Sequence, residues 1–151
     1  AWLRRHLPAP PARATLIHGD FRNGNLMVDA DGLAGVLDWE LAHLGDPMED
    51  LGWLCVNAWR FGNIALPVGG FGTREDLFAS YRAAGGTVDE ERVRFWEVFG
   101  TLKWGVICEG MGDAWLTSAE PSVERAAIGR RSSEADIDLL NLIAPRHGRP
   151  A

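Results

Sequence analysis

Residues 14 to 40 read ATLIHGDFRNGNLMVDADGLAGVLDWE, and the reading of this stretch decides that of the chain. Leu16 and Ile17 follow a Pro- and Ala-rich run and lead into His18-Gly19-Asp20, so a short buried strand is expected to deliver the His and Asp onto a loop. Loops positioned by strands are where chemistry tends to sit. Leu26-Met27-Val28 and Leu33-Ala34-Gly35-Val36-Leu37 are apolar runs separated by Asp29-Ala30-Asp31-Gly32, a strong turn signal, and they predict a β-hairpin. With Val28 opposite Leu33, a constant register places Asn25 opposite Val36 and Asn23 opposite Asp38. The carboxylates of Asp20 and Asp38 and the carboxamide of Asn25 therefore converge. Hard oxygen groups of this kind suit Mg²⁺, which takes one or two carboxylates and completes its octahedron with water and substrate phosphates.

His18-Gly19-Asp20, with Asn25 and then Asp38-Trp39-Glu40, resembles the catalytic loop and metal-binding segment of the aminoglycoside phosphotransferase family, distant relatives of the protein kinases. The resemblance implies an α+β fold, mainly α: a protein-kinase-like C-terminal lobe in which a short hairpin carries the catalytic loop beside a helical bundle. It implies that Asp20 accepts the proton of a substrate hydroxyl and that Asn25 and Asp38 bind Mg²⁺ and, through it, ATP or another nucleoside triphosphate. His18 then supports the loop rather than acting as base. Asp50, in Gly45-Asp46-Pro47-Met48-Glu49-Asp50, is expected to hydrogen-bond back to that loop; its alternative is a solvated first-turn acid complementing the helix dipole. The resemblance is sharp over residues 15–54 and general beyond them.

Working outward, Ala1-Trp2-Leu3-Arg4-Arg5-His6-Leu7 reads as the end of a helix stopped by Pro8, Pro10 and Pro11, so residues 1–13 form a helix end and a Pro-rich linker before the catalytic loop and hairpin of 14–40. A helical subdomain is expected over 46–143. Asp46 caps its first helix, with Pro47 at the first helical position and Glu49 three residues after the cap, and apolar spacing carries that helix to about Arg60. Residues 61–72 form a Gly-rich loop. A second helix starts at Thr73, buries Leu77, Tyr81 and Ala84, and stops at Gly85-Gly86. A third runs from about Asp89 to Leu116, apolar nearly all round from Phe95 to Cys108 and so expected to be central and buried, with Lys103 and Glu109 needing partners. Its aromatic residues read as core rather than as a ligand cage. A last helix runs from Ser122 to Ile143, and 144–151 form a tail.

The chain has 151 residues, 46% of them hydrophobic, with seven Trp, enough for a core. The net charge of −6 and pI near 5.1 exclude a nucleic-acid or anionic-membrane surface. Cys55 and Cys108 lie in apolar surroundings as inert thiols, which fits a reducing cytoplasm. No stretch has the length or apolarity of a transmembrane helix.

The expected activity is transfer of the ATP γ-phosphate to a hydroxyl of a small molecule, aminoglycoside-like or another hydroxylated metabolite. Glu40 is a candidate for contacting an amine of that substrate. The kinase template also calls for a Gly-rich phosphate loop and a strand Lys. Gly69-Gly70-Phe71-Gly72 lacks the strand pattern that should follow, and Lys103, the chain's one Lys, lies in a helical pattern. The nucleotide-clamping N-terminal lobe is thus expected outside this sequence, as a partner needed for full activity. An apolar surface left facing that lobe also favours a homodimer. Two competing readings are a non-catalytic kinase-like binding module and a metal-dependent phosphohydrolase; His6, His43 and His147 do not form the His-rich motifs that the latter requires.

Overall fold

The computed structural model describes residues 1–117 and 122–144; the tail beyond 144 lies outside the described residues. In order, the elements are α1 (Trp2–Arg5), β1 (Thr15–Ile17), β2 (Leu26–Asp29), β3 (Gly32–Val36), β4 (His43–Gly45), α2 (Met48–Leu54), α3 (Arg74–Ala83), α4 (Glu90–Thr117), α5 (Val123–Gly129) and α6 (Ser132–Ile143). Among the described residues the strands form two antiparallel pairs, β1 with β4 and β2 with β3. Two compact units divide the chain, one holding residues 3–100 and the other starting at 101.

The hairpin is present, but its register is not constant. Val28 faces Leu33 and Asp29 faces Gly32, whereas Met27 faces Gly35 and Leu26 faces Val36, because a bulge intervenes between Met27 and Val28. The extra residue on β3 moves the pairing by one, so Asn25 accepts from the Leu37 N–H at 2.8 Å rather than facing Val36. Bulges bend a strand and re-aim its side chains, and sequence patterning carries little trace of one. The β1–β4 pair, with Leu16 opposite Leu44 and Ile17 opposite His43, was not foreseen: three-residue strands are too short for an alternation signal.

Asp46 caps α2 as expected. Its Oδ1 accepts from the Met48 N–H at 3.0 Å, and its other oxygen takes Arg92 of α4 at 2.7 Å. The helix stops at Leu54 rather than near Arg60; the chain re-coils as a 3₁₀ turn over Asn57–Arg60. The core of this unit gathers Met48, Leu51, Phe78 and Val93, with Leu77, Tyr81, Val88 and Trp96 packed against them. Thr73 caps α3 by accepting from the Asp76 N–H at 3.1 Å. Phe78 is its most buried side chain, Leu77 and Tyr81 are half-buried, and Ala84, expected inside, is exposed.

Helix α4 is buried at Val93, Phe95, Glu97, Val98 and Thr101, but Phe99, Leu102 and Val106 are exposed, so it is not buried all round as its composition suggested. Its buried acid is Glu97, bonded to Arg60 and Arg74; Glu109, expected to be paired, is exposed. At the α2–α4 crossing a Cβ on Gly52 would lie 2.5 Å from Trp96 Cβ and 2.8 Å from the Glu97 backbone nitrogen. Backbone cannot yield as a flexible side-chain tip does. Gly52→Ala is therefore expected to destabilise the chain by about 1–3 kcal/mol despite the gain in helix propensity, as read by urea unfolding.

In the second unit, residues 101–117 of α4 are followed by α5 and α6, where one helix over 122–143 had been expected. Ser122 caps α5 and the break falls at Arg130-Arg131. Ala135 is buried, and the Arg131 guanidinium lies 5.4 Å from the Trp104 ring centroid. Cys55 and Cys108 are both free and buried. Burial pushes the Cys55 thiol up to about 11, which keeps it protonated and unreactive at neutral pH.

Candidate active site

Strand β1 ends at Ile17, and the next three residues are fixed from two directions. Asp50, on the first turn of α2, accepts the His18 N–H on Oδ2 at 2.7 Å and the Gly19 N–H on Oδ1 at 2.9 Å. Both carboxylate oxygens are thus spent on the backbone of the loop, one of the two readings that the sequence leaves open. The buried His18 ring joins the loop to the strand after the hairpin: its Nδ1 lies 3.1 Å from the Asp20 nitrogen and its Nε2 2.8 Å from the Leu37 carbonyl oxygen. An amide N–H can only donate and a carbonyl can only accept, so Nδ1 is the acceptor and Nε2 carries the proton. Both nitrogens are engaged, and the ring packs against Trp39 at 4.6 Å between centroids. Through these contacts His18 ties the loop to the strand after the hairpin.

The Asp20 carboxylate is held by three donors. Trp53 Nε1 donates to Oδ1 at 2.8 Å, Asn25 Nδ2 donates to Oδ2 at 2.8 Å, and Arg22 Nε is 3.2 Å from each oxygen. Asn25 also donates to the Asp20 carbonyl at 2.9 Å. Its carboxamide nitrogen is committed to Asp20, and its Oδ1 has no hydrogen-bond donor among the described residues. Asp38 stands at φ 67°, ψ 58°, the left-handed region, and is exposed. A non-glycine residue there stores about 1–3 kcal/mol of strain unless its surroundings impose it. Its carboxylate has no partner among the described residues. Glu40 is exposed on the 3₁₀ turn that follows.

The fold thus ties Asp20 directly to Asn25, and His18 and Asp50 directly to the loop that carries Asp20. Asp38 is linked to them through its neighbour Leu37, whose N–H and carbonyl bond Asn25 and His18. Sequence reading missed Arg22 and Trp53. Trp53 sat among the apolar positions of a core helix, and only the turn of α2 shows its N–H reaching Asp20. Asn23 anchors the same loop by donating to the Trp59 and Gly69 carbonyls at 3.2 and 2.9 Å. Further along, His43 is bonded at one nitrogen to the Leu41 carbonyl and at the other to Glu49. Its pKa is raised, first by the Leu41 carbonyl; burial opposes this, and the charge and hydrogen bond of Glu49 add to the rise. The stability this imidazolium contributes is present below its ordinary pKa and lost as pH rises through the raised one. A separate cavity of about 530 Å³, lined by Pro11, Thr15, Asp46, Tyr81, Thr87 and Arg92 among others, includes none of Asp20, Asn25 and Asp38.

Because Asp50 answers two backbone donors, Asp50→Ala is expected to destabilise the chain by about 1–3 kcal/mol and to loosen the Asp20 loop, read as a lower Tm with earlier amide exchange at residues 18–20. A Tm and exchange pattern matching wild type would show that the loop holds itself.

The chain is mainly helical with two small antiparallel sheets among the described residues, an arrangement of the kinase-like kind, and the loop after β1 bonds Asp20 to the downstream Asn25. The sequence profile of the phosphotransferase enzyme family matches residues 1–96, and the chain belongs to that family. Among solved structures it is similar to one from Ralstonia eutropha described as an aminoglycoside phosphotransferase, with a TM-score of 0.71 and 22% identity, over 93% of this chain and 46% of that one. It is also similar to a thermostable mutant of aminoglycoside phosphotransferase APH(4)-Ia in ternary complex with AMP-PNP and hygromycin B, with a TM-score of 0.54 and 15% identity, over 94% and 41% of the two chains. Curated relatives include a probable acyl-CoA dehydrogenase, IBR3, of Arabidopsis thaliana, 29% identical over 99% of this chain and 20% of that protein. Another is acyl-CoA dehydrogenase family member 10 of Mus musculus, 30% identical over 85% of this chain and 13% of that protein. The chain spans a fifth or less of these two relatives. Among the described residues no helix is long and apolar enough to cross a membrane.

Proposed function

We propose that the chain is the C-terminal, catalytic lobe of a phosphotransferase that moves the γ-phosphoryl group of ATP to a hydroxyl of a small molecule. The observation that carries this reading is the division of labour at the loop: Asp20 is oriented by three donors, while Asn25 Oδ1 and the Asp38 carboxylate have no partner among the described residues.

Asp20 accepts the proton as the substrate O–H bond breaks. The substrate oxygen forms a bond to the γ-phosphorus as the bond to the β,γ-bridging oxygen breaks, and ADP leaves with that electron pair. Trp53 and Asn25 keep the carboxylate aimed throughout, so catalysis rests on positioning and charge neutralisation. Asn25 Oδ1 and Asp38 supply one neutral and one anionic oxygen, the donor set of a site that leaves several positions to water and phosphate, and they would hold Mg²⁺. When bound, the ion neutralises charge on the phosphates.

The substrate is a hydroxyl-bearing small molecule. An aminoglycoside, a choline-like alcohol and a hydroxylated acyl compound form the first screen, the last suggested by the relatives' names. Glu40, exposed on the turn after Asp38, is the candidate for meeting an amine of the substrate. The missing phosphate loop and strand Lys call for a further nucleotide-binding lobe, which joins this one in the active protein.

Calorimetry with Mg-ATP on the full-length protein and on this chain tests the reading. Binding by the longer protein, lost in Asp38→Asn, is expected; Asn tolerates the left-handed backbone and removes only the charge. Binding by neither protein would turn the assignment to a non-catalytic module.

A further inference from the structure

Arg22 is the cation next to the proposed base, and most of its hydrogen-bonding capacity is unused. Its Nε is shared between the two Asp20 oxygens at 3.2 Å, and its side chain is 27% exposed. A guanidinium carries five N–H donors. The four on Nη1 and Nη2 have no acceptor among the described residues. The group is nonetheless placed: its Cζ lies 4.9 Å from the Trp59 ring centroid, and Trp59 is buried on the 3₁₀ turn, its backbone carbonyl accepting from Asn23. On the other side, a Cβ at Gly24 would run into Arg22 Nη1. Gly24 does not have a positive φ, so the backbone does not require glycine there. What the missing Cβ provides is room for the guanidinium.

Asp20 does not need Arg22 to stay oriented, since Trp53 and Asn25 each hold one carboxylate oxygen at 2.8 Å. A half-exposed ion pair adds little to stability. A fixed guanidinium with its fork unsatisfied matches the geometry of a phosphoryl group, which it binds bidentately. Resting on the proposed function above, we infer that Arg22 is a further catalytic residue, whose free guanidinium nitrogens bind the transferring γ-phosphoryl oxygens beside Asp20. The pairing also couples the two steps: as Asp20 takes the substrate proton its charge is neutralised, its hold on Nε weakens, and the full positive charge of Arg22 turns to the phosphoryl group.

The test uses the full-length protein with Mg-ATP as probe and water as acceptor, following phosphate release, so that no acceptor need be known. Arg22→Gln, Arg22→Lys, Gly24→Ala and Asp20→Asn are compared with wild type, each with its Tm. Arg22→Gln is expected to lower kcat by roughly 10²–10³, the usual cost of one transition-state donor, with Tm near wild type. Arg22→Lys keeps a charge without the fork and retains more turnover. Gly24→Ala pushes the guanidinium aside at little cost to folding and loses turnover in the same direction. If Asp20→Asn abolishes turnover while the Arg22 and Gly24 variants keep it, Arg22 is not catalytic and the phosphotransferase reading stands. If Arg22→Gln loses turnover only in step with its Tm, and Gly24→Ala matches wild type, Arg22 is a structural clamp. If wild type releases no phosphate from Mg-ATP, the underlying reading fails and this inference with it.

Discussion

Asp20→Ala lowers kcat by roughly 10²–10⁴ once an acceptor is in hand, the usual contribution of a general base. The structure adds a qualification to how that loss is read. Removing the carboxylate also leaves the N–H groups of Trp53, Asn25 and Arg22 without their acceptor, so part of the loss in Ala reflects a loop that no longer holds its shape. Asp20→Asn separates the two effects. It retains an oxygen for the Trp53 indole and removes the ability to take a proton. A drop of similar size in Asn, with KM for the acceptor little changed, assigns the loss to chemistry. Full turnover in Asn would mean that the hydroxyl proton leaves by another route and that Asp20 only positions.

Glu97→Ala is the substitution expected to cost most in stability, about 3–5 kcal/mol. Glu97 is 2% exposed and its Oε1 takes Arg74 at 2.9 Å and Arg60 at 3.2 Å. Burial works against the Arg74 charge, but the hydrogen bond and charge of Glu97 override it and raise the Arg74 pKa. Without Glu97 both guanidiniums lose the buried carboxylate they share. Arg60 keeps the Cys55 carbonyl at 2.7 Å, while Arg74 loses the partner that accounts for its raised pKa. Calorimetric unfolding should show a Tm lowered on the order of 10 °C, with Glu97→Gln between Ala and wild type because it keeps an acceptor without the charge. A change under about 1 kcal/mol would show that both arginines find water, as surface pairs do.

These two residues show what could be read from the sequence. The loop that carries Asp20 was legible because His18, Asn25 and Asp38 sit at spacings that resemble one family's loop and hairpin, and the family is shown by a match over residues 1–96. Glu97 was not, because nothing near it in the sequence names its partners: Arg60 and Arg74 lie 37 and 23 residues away. The same distance hid Trp53 from Asp20. Its indole reads as core, and it is core, with one polar atom turned to the loop.

By itself the sequence determined the strand-to-loop entry at His18, the hairpin, the caps at Asp46 and Thr73, and the long helix through α4. All are local: turn residues, a proline, a capping oxygen, a periodic apolar face. Tertiary structure alone decided the bulge that brings Leu37 against Asn25, the strand pair of β1 with β4, the early end of α2, the break between α5 and α6, and the three donors on Asp20. Of these, the β1–β4 pair and the Trp53 donor depend on groups far apart in the chain meeting at distances of a few ångströms. Which partner a carboxylate or an indole N–H finds is set by packing around it, and packing leaves no periodic trace in the order of the residues.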